Sequence, residues 1–187
     1  MEKTRRDARR VVAIHVKPYL AEYANTKYSH NPETGGIQIP YFDDLYHCVW
    51  HYVGRRCKNS HQYRDPNLQI SLGRPDPATE GRAWKDPAYH NHLSTAGRIE
   101  VERCLQRQFD FELHRAFLEN EERGEGRLRQ LDVALAFIKE YRLKSISEEA
   151  LLKNFHRYRN LLRPKKPRRY DKIKRRKPYI TVQNRIS

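Results

Sequence analysis

The sequence predicts an α+β fold with a small mixed N-terminal part, a mainly α-helical C-terminal half that contains a helix-turn-helix-like hairpin, and a basic extended tail. Short alternating apolar segments favour strands in the first part. Proline-free stretches with apolar residues every three or four positions favour helices in the second. A basic run broken by prolines follows. We therefore expect an α+β part at 1–97, a helical region at 98–162 and a flexible arm at 163–187.

The N-terminal part is expected to combine strands with two helices. Pro18 begins a predicted helix that extends to Lys27, because proline is tolerated in the first helical turn. Asp43 or Asp44 is expected to cap a second helix that ends near Val53. Alternating or β-branched apolar residues predict strands at 11–16, 37–39 and 68–72.

Two amphipathic helices are expected to begin the C-terminal half. The first runs from Ser94 to about Glu122, and its apolar face consists of Leu105, Phe109, Leu113, Ala116 and Phe117. A charged turn with two glycines separates it from the second, which ends near Tyr141. The apolar stripe of the second helix is expected to be Leu128, Leu131, Leu135 and Ile138.

A third C-terminal helix is predicted by its start signal and its apolar spacing. Ser145 and Glu148 fit a capping box, in which the serine and the glutamate each bond the other's backbone N–H. The following stripe recurs at spacings of 4, 3 and 4, and Pro164 ends the helix. Its members are Leu151, Phe155, Tyr158 and Leu162.

The composition excludes several classes of protein. No apolar run approaches the roughly 20 residues that span a bilayer, and no apolar signal-peptide region follows the N-terminus. Three cysteines do not make a disulfide framework in a chain of 187 residues. We therefore expect a cytoplasmic protein with no membrane partner.

The positive charge is concentrated at the C-terminal end. The net charge is +15, of which residues 1–141 contribute +2 and residues 142–187 contribute +13. Within the segment 163–178, ten residues are Lys or Arg and three are proline. Such a block of one sign is typical of an interaction tail, and nucleic acid is the most abundant polyanion. A solvated tail that only maintains solubility is the alternative.

The polar face of the third C-terminal helix has the residue types that read duplex DNA. With 100° per residue, Lys153, Arg157 and Asn160 fall opposite the apolar stripe, and Asn154 lies on its flank. Arginine can donate twice to guanine, and asparagine can pair with adenine in the major groove. We expect these four residues to face the groove, although a helical hairpin with a merely solvated outer face has the same pattern.

The arm is expected to neutralise phosphates beside that helix, so the predicted partner is nucleic acid, with DNA favoured over RNA. An adaptor that binds an acidic protein partner is the alternative function. The phosphate-contacting residues are expected to be Lys165, Lys166, Arg168, Arg169, Lys174, Arg175, Arg176 and Lys177.

A cluster of cysteines and histidines provides a candidate metal site. Cys48, His51, Cys57 and His61 form the pattern C-x2-H-x5-C-x3-H, whose side chains are suitable tetrahedral zinc ligands. The order and the short central spacing differ from those of a common zinc finger. Buried cysteines that only pack and histidines at the surface would give the same pattern. Zinc is the one cofactor that the sequence suggests, as an alternative to this interpretation.

Catalysis is less well supported by the sequence than binding. The motif His90-Asn91-His92, with nearby carboxylates, permits a metal-dependent nuclease as a further alternative. No spacing among these carboxylates indicates a metal site, and the phosphate-binding and nucleophile motifs of common enzymes are absent from the sequence. We therefore assign no catalytic residue, favour a binding protein over an enzyme and leave the nuclease alternative open.

Three segments carry a resemblance to a group of known proteins. The segments PYLAEY (18–23), DDLYH (43–47) and ISEEALLKNFHRYRN (146–160) resemble small basic proteins encoded by bacterial prophages and other mobile genetic elements. The resemblance covers most of residues 11–163. It implies a cytoplasmic protein that handles the DNA of such an element, and it assigns no site residue.

Overall fold

The computed structural model describes residues 10–56, 65–73 and 85–163, and these form an α+β fold. The strands, in chain order, are β1 Val11–Ile14, β2 Ser29–His30, β3 Ile37–Gln38, β4 Val53–Gly54, β5 Leu68–Ser71 and β6 His92–Leu93. The helices are α1 Pro18–Lys27, α2 Asp44–Tyr52, α3 Thr95–Glu122, α4 Gln130–Glu140 and α5 Glu148–Leu162. The predicted α+β class is thereby confirmed.

A four-stranded sheet forms the front of the molecule in the order β1-β5-β3-β2. Strand β5 pairs antiparallel with β1, in the register Val12↔Ile70, and parallel with β3, in the register Ile37↔Ile70. Gly36 lies so close to β5 that a Cβ atom there would be 2.9 Å from the Ser71 backbone nitrogen. Any larger residue at this position would push the strands apart.

The strands at β1, β3 and β5 were predicted, whereas β2, β4 and β6 were not. Each of these three has only two residues, which is too short for an alternating pattern to be visible. Strand β4 pairs with β6 in a second, two-stranded sheet, where Val53 faces Leu93. This pairing connects the end of α2 to the beginning of α3.

Helices α1 and α2 begin where the sequence predicted them. Pro18 lies in the first turn of α1. Asp43 caps α2 by accepting a hydrogen bond of 2.8 Å from the Leu45 backbone nitrogen. The other carboxylate oxygen of Asp43 accepts from the Tyr28 hydroxyl at 2.8 Å, so the same side chain also attaches α2 to the end of α1.

The 28-residue helix α3 is the centre of the core, and its predicted apolar face is confirmed. Ser94 caps it by accepting from the Gly97 backbone nitrogen. Leu105, Phe109, Leu113 and Phe117 are fully buried, whereas Ala116 is partly buried. Helices α1, α2, α4 and α5 all pack on α3, so the front sheet and the C-terminal helices share one hydrophobic core.

The predicted apolar stripe of α4 is wrong. Leu128, Leu131 and Leu135 are 46–47% exposed, and Leu128 precedes the helix. The helix instead buries Val133, Ala134 and Phe137, and only Ile138 of the predicted stripe packs against the core. The apolar residues of α4 lie on two neighbouring sides of the helix, one with Leu131 and Leu135 and one with Val133 and Phe137. The side with Phe137 faces the core, where the Phe137 ring packs edge to face on Phe109 at 5.6 Å.

Helix α5 begins two residues later than the predicted capping box. Ser147, not Ser145, caps it and accepts from the Ala150 backbone nitrogen. The side chain of Ser145 instead donates to Glu22 of α1, whose carboxylate also accepts from the backbone nitrogens of Lys144 and Ser145. The α4–α5 connection is thereby attached to α1.

Helices α3 and α5 run parallel. Asn154 bonds to Asp110, Phe155 stacks on Phe117, and Arg159 lies 3.5 Å from Glu121, so positions advance together along both helices. The C-terminal ends of α3 and α5 therefore lie side by side.

Candidate nucleic-acid interface

The outer face of α5 is the candidate nucleic-acid interface. The helix forms because Ser147 caps it and because Glu148 and Glu149 complement the positive end of the helix dipole. It is held to α3 by the buried side chains Leu151 and Phe155. The Phe155 ring stacks on Phe117 at 4.4 Å, with only 12° between the ring planes. This contact fixes which side of α5 faces solvent.

Three of the four predicted groove-facing residues are exposed on one side of α5. Lys153, Arg157 and Asn160 follow one another at spacings of 4 and 3, and all three are exposed. They cover about 10 Å along the helix axis. Neither cation makes an ion pair with any residue that the structure describes. Both charges are therefore available to a ligand.

Asn154 is placed differently from the other three residues. Its side chain is half-buried between α5 and α3. The amide donates to Asp110 at 2.8 Å, and its oxygen lies 2.8 Å from the Nε2 atom of His114. Asn154 therefore holds α5 against α3 in this structure. The helical periodicity predicted that Asn154 would lie on the flank of the apolar stripe. In the structure this flank faces Asp110 of α3.

The eight predicted phosphate-contacting residues of the arm lie outside the described residues. The last described residue is Arg163, which is exposed and directly follows α5. The helix that carries Lys153 and Arg157 is thus followed in sequence by the segment 163–178, in which ten of sixteen residues are basic. The eight arm residues are Lys165, Lys166, Arg168, Arg169, Lys174, Arg175, Arg176 and Lys177.

Two of the four candidate zinc ligands can be located. Cys48 is half-buried on α2 and His51 is exposed, whereas Cys57 and His61 lie outside the described residues. Burial and the adjacent Cys104 thiol raise the pKa of Cys48 to about 11, which opposes the thiolate that zinc requires. In the described ranges no three His, Cys, Asp or Glu side chains converge on a metal position.

The His90-Asn91-His92 segment leads into β6. The Nδ1 atom of His90 lies 3.1 Å from the Asp86 carbonyl oxygen, and burial together with Arg56 lowers the pKa of His92. The nearest described glutamates on α3 are ion-paired, Glu100 with Arg103 and Glu102 with Arg98. Asp76 and Glu80 are outside the described residues.

Sequence reasoning missed a polar cluster beneath α1 and a groove beside α5. In the cluster, Glu112 accepts from Lys27 at 2.7 Å and from Tyr141 at 2.8 Å. Burial alone would raise the pKa of Glu112, but these hydrogen bonds and one from Tyr23 outweigh it and lower the pKa. One signal in the sequence could have pointed to the groove, namely an aromatic residue at position 111 outside the predicted apolar face of α3.

Comparison with known proteins adds no family to these observations. No protein-family model, no curated protein and no solved structure matches the chain. Among the described helices, none is both long enough and apolar enough to cross a membrane.

Proposed function

We propose that the protein binds nucleic acid, with duplex DNA as the favoured partner. One observation carries the proposal: the cations Lys153 and Arg157 are exposed on α5, and this helix is followed in sequence by a segment with ten Lys or Arg residues. Asn160 adds an amide to the same face, and such a group can pair with adenine. The helix supplies groove contacts and the segment supplies phosphate contacts.

The binding energy is expected to come mainly from released counterions. If about six phosphates are neutralised, the logarithm of the association constant should fall with the logarithm of salt concentration at a slope near −5. Fluorescence anisotropy with a labelled duplex at four salt concentrations measures this slope. A slope near zero would contradict the proposal.

Removing residues 163–187 tests the contribution of the basic segment. The truncated chain should lose most of its affinity for duplex DNA and most of the salt dependence. Binding of the intact and truncated proteins to duplex DNA, single strands and RNA at two salt concentrations also compares the possible ligands. Unchanged affinity after truncation would show that the charge argument is wrong.

The contribution of α5 is tested by removing its two exposed cations. The variant Lys153→Ala/Arg157→Ala should bind duplex DNA at least tenfold more weakly than the wild type and should keep most of the salt slope, because the contacts it loses are to base edges in the groove and not to phosphates. The matched control is Arg129→Ala/Lys139→Ala, which removes the same two residue types from exposed positions at α4. Equal loss in both variants would indicate a non-specific charge effect and would exclude the α5 face as the interface.

Two competing functions give different outcomes in simple assays. An adaptor for acidic proteins would prefer a polyglutamate peptide to a duplex of equal charge. A nuclease would cut plasmid DNA with Mg²⁺, Mn²⁺ or Zn²⁺ and stop when EDTA is added. A cytoplasmic location and an origin on a mobile genetic element belong to the proposal through the resemblance of residues 146–160.

A further inference from the structure

The groove between α3 and α5 differs in charge from the outer face of α5. It has a volume of about 580 Å³ and opens beside Tyr158. Three carboxylates and two guanidinium groups line it, those of Asp110, Glu119, Glu122, Arg107 and Arg115. One of the cations, Arg115, is already paired with Glu119 at 3.4 Å. These five groups leave a formal net charge of −1, so the groove is weakly acidic.

An exposed aromatic ring lies in the same groove. Phe111 is 66% exposed and is covered on one side by the Arg115 guanidinium, 6.0 Å from the ring centre. The His114 and Tyr158 rings, stacked at 3.9 Å, line the same groove. The combination of aromatic walls and carboxylates suits a segment that carries both cations and apolar side chains.

The C-terminal arm has that composition and begins beside the groove. Among its ten basic residues at 163–178 stand Tyr170 and Ile173. Arg159, near the end of α5, already lies 3.5 Å from Glu121, the residue next to Glu122. The chain leaves α5 within about one helical turn of that contact, and 24 further residues can extend over roughly 80 Å.

We propose that the arm, residues 164–187, docks back into the acidic groove between α3 and α5 and leaves it when nucleic acid binds. Lysine and arginine side chains of the arm pair with Glu119 and Glu122, and its apolar side chains cover Phe111. The docked arm cannot contact phosphate at the same time. The consequence for nucleic-acid binding rests on the function proposed above, whereas the docking itself does not.

Limited trypsin digestion of the full-length protein tests the docking without any nucleic acid. In Glu119→Gln/Glu122→Gln, cleavage within 168–177 should be at least threefold faster than in the wild type at low salt. The difference should disappear at about 0.5 M salt, since exposed pairs are then screened. Both glutamates are exposed, so the variant keeps its fold.

A matched variant controls for net charge. Glu33→Gln/Glu140→Gln also removes two exposed carboxylates, but from positions that do not line the groove. It should be cleaved at the wild-type rate. Equal cleavage rates in the wild type and both variants at low salt would overturn the proposal.

The aromatic part of the groove has its own pair of variants. Phe111→Ala should also accelerate cleavage of the arm, whereas Phe42→Ala, which removes a ring that is 75% exposed before α2, should not. If neither phenylalanine variant changes the rate while the glutamate variant does, the arm contacts the two glutamates at the rim but not the aromatic part of the groove, and the proposed docking site is wrong.

Nucleic-acid affinity then tests the consequence of docking. Glu119→Gln/Glu122→Gln should raise the affinity of the full-length protein for duplex DNA about three- to tenfold and leave that of the truncated chain, 1–162, unchanged. An equal rise in both would mean that the carboxylates repel DNA directly, which contradicts competition by the arm. If the wild type binds no nucleic acid, the proposed function fails, and the digestion still decides the docking.

Discussion

Helices α4 and α5 form one hairpin, yet they are attached to the rest of the molecule by different interactions. Helix α5 buries Leu151 and Phe155, the first two residues of its predicted apolar stripe, and Phe155 stacks on Phe117 of α3. Tyr158 is partly buried, and the prediction is wrong for Leu162, which is 56% exposed in the last turn. Helix α4 leaves Leu131 and Leu135 about half exposed and is held by the neighbouring arc around Phe137. The difference teaches that regular apolar spacing predicts a helix more securely than it predicts the buried side.

Polar contacts at the hairpin connection contribute to this orientation. Glu22 of α1 accepts from the backbone nitrogen of Lys144 at 2.7 Å and from that of Ser145 at 3.1 Å. The Thr26 hydroxyl donates to the Tyr141 carbonyl oxygen at 2.9 Å. These contacts attach the end of α4 to α1. The rotation of α4 is therefore set partly by α1 and not only by its leucines.

The largest expected effect concerns the aromatic stack that holds α5. Phe155→Ala should lower the free energy of unfolding by about 3–5 kcal/mol, since it removes a fully buried ring and leaves a cavity beside Phe117. Urea denaturation followed by circular dichroism measures the change. A loss below about 1 kcal/mol would mean that α5 is held by other contacts and that the contrast with α4 is wrong.

A smaller effect is expected at the hairpin connection. Glu22→Ala leaves two exposed backbone N–H groups to bond water instead of the carboxylate and should cost about 0.5–1.5 kcal/mol of unfolding free energy. Glu33→Ala, which removes an exposed glutamate from the turn between β2 and β3, is the matched control and should cost less than about 0.5 kcal/mol. If the two variants lost the same unfolding free energy, Glu22 would not contribute to the orientation of α4.

The same carboxylate predicts a dependence of stability on pH. Burial alone would raise the pKa of Glu22, but hydrogen bonds from Ser145 and Lys144 outweigh it and lower the pKa. Because the folded-state pKa lies below the unfolded value of about 4.3, the stabilisation is fully present above that value. It is lost as the pH falls through the folded-state pKa. Glu22→Gln should therefore show a smaller loss of stability between pH 5 and 3 in the same urea assay, and an unchanged profile would contradict this.

The smallest effect is expected on the exposed side of α4. Leu131→Ala and Leu135→Ala should each cost about 1 kcal/mol or less, because about half of each side chain stays in contact with water in the folded protein. Phe137→Ala in the same helix should cost several times more. If a leucine variant matched the loss in Phe137→Ala, that leucine would be buried in solution, and the predicted stripe would have been right.

Much of the fold could be predicted because its signals are local. The caps at Asp43 and Ser94, the proline at the start of α1 and the stripe of α3 each depend on residues within one or two helical turns. The start of α5 was displaced because Ser145 and Ser147 are both suitable caps. A long-range contact with Glu22 occupies the first of them, and no local pattern reports such a contact.

The candidate site shows the same limit. Helical periodicity placed Lys153, Arg157 and Asn160 on one exposed face, where the structure has them. Asn154 was predicted on the flank of the stripe. Its side chain is turned away from solvent by a hydrogen bond to Asp110, which is 44 residues away in the chain. The acidic groove was not predicted, since it exists only because α3 and α5 run parallel.

The parallel arrangement of α3 and α5 has an electrical consequence. Each helix carries a partial charge of about −0.5 at its C-terminal end, and the N-terminal end of α4 adds about +0.5, because Leu128 and Gln130 hold it beside Asn120 and Glu121. Arg127 and Arg159 both approach Glu121 at this end of the bundle. The three helix ends thus leave a partial negative charge of about −0.5 beside the end of α5, and this charge favours cations in the segment that follows α5 in sequence.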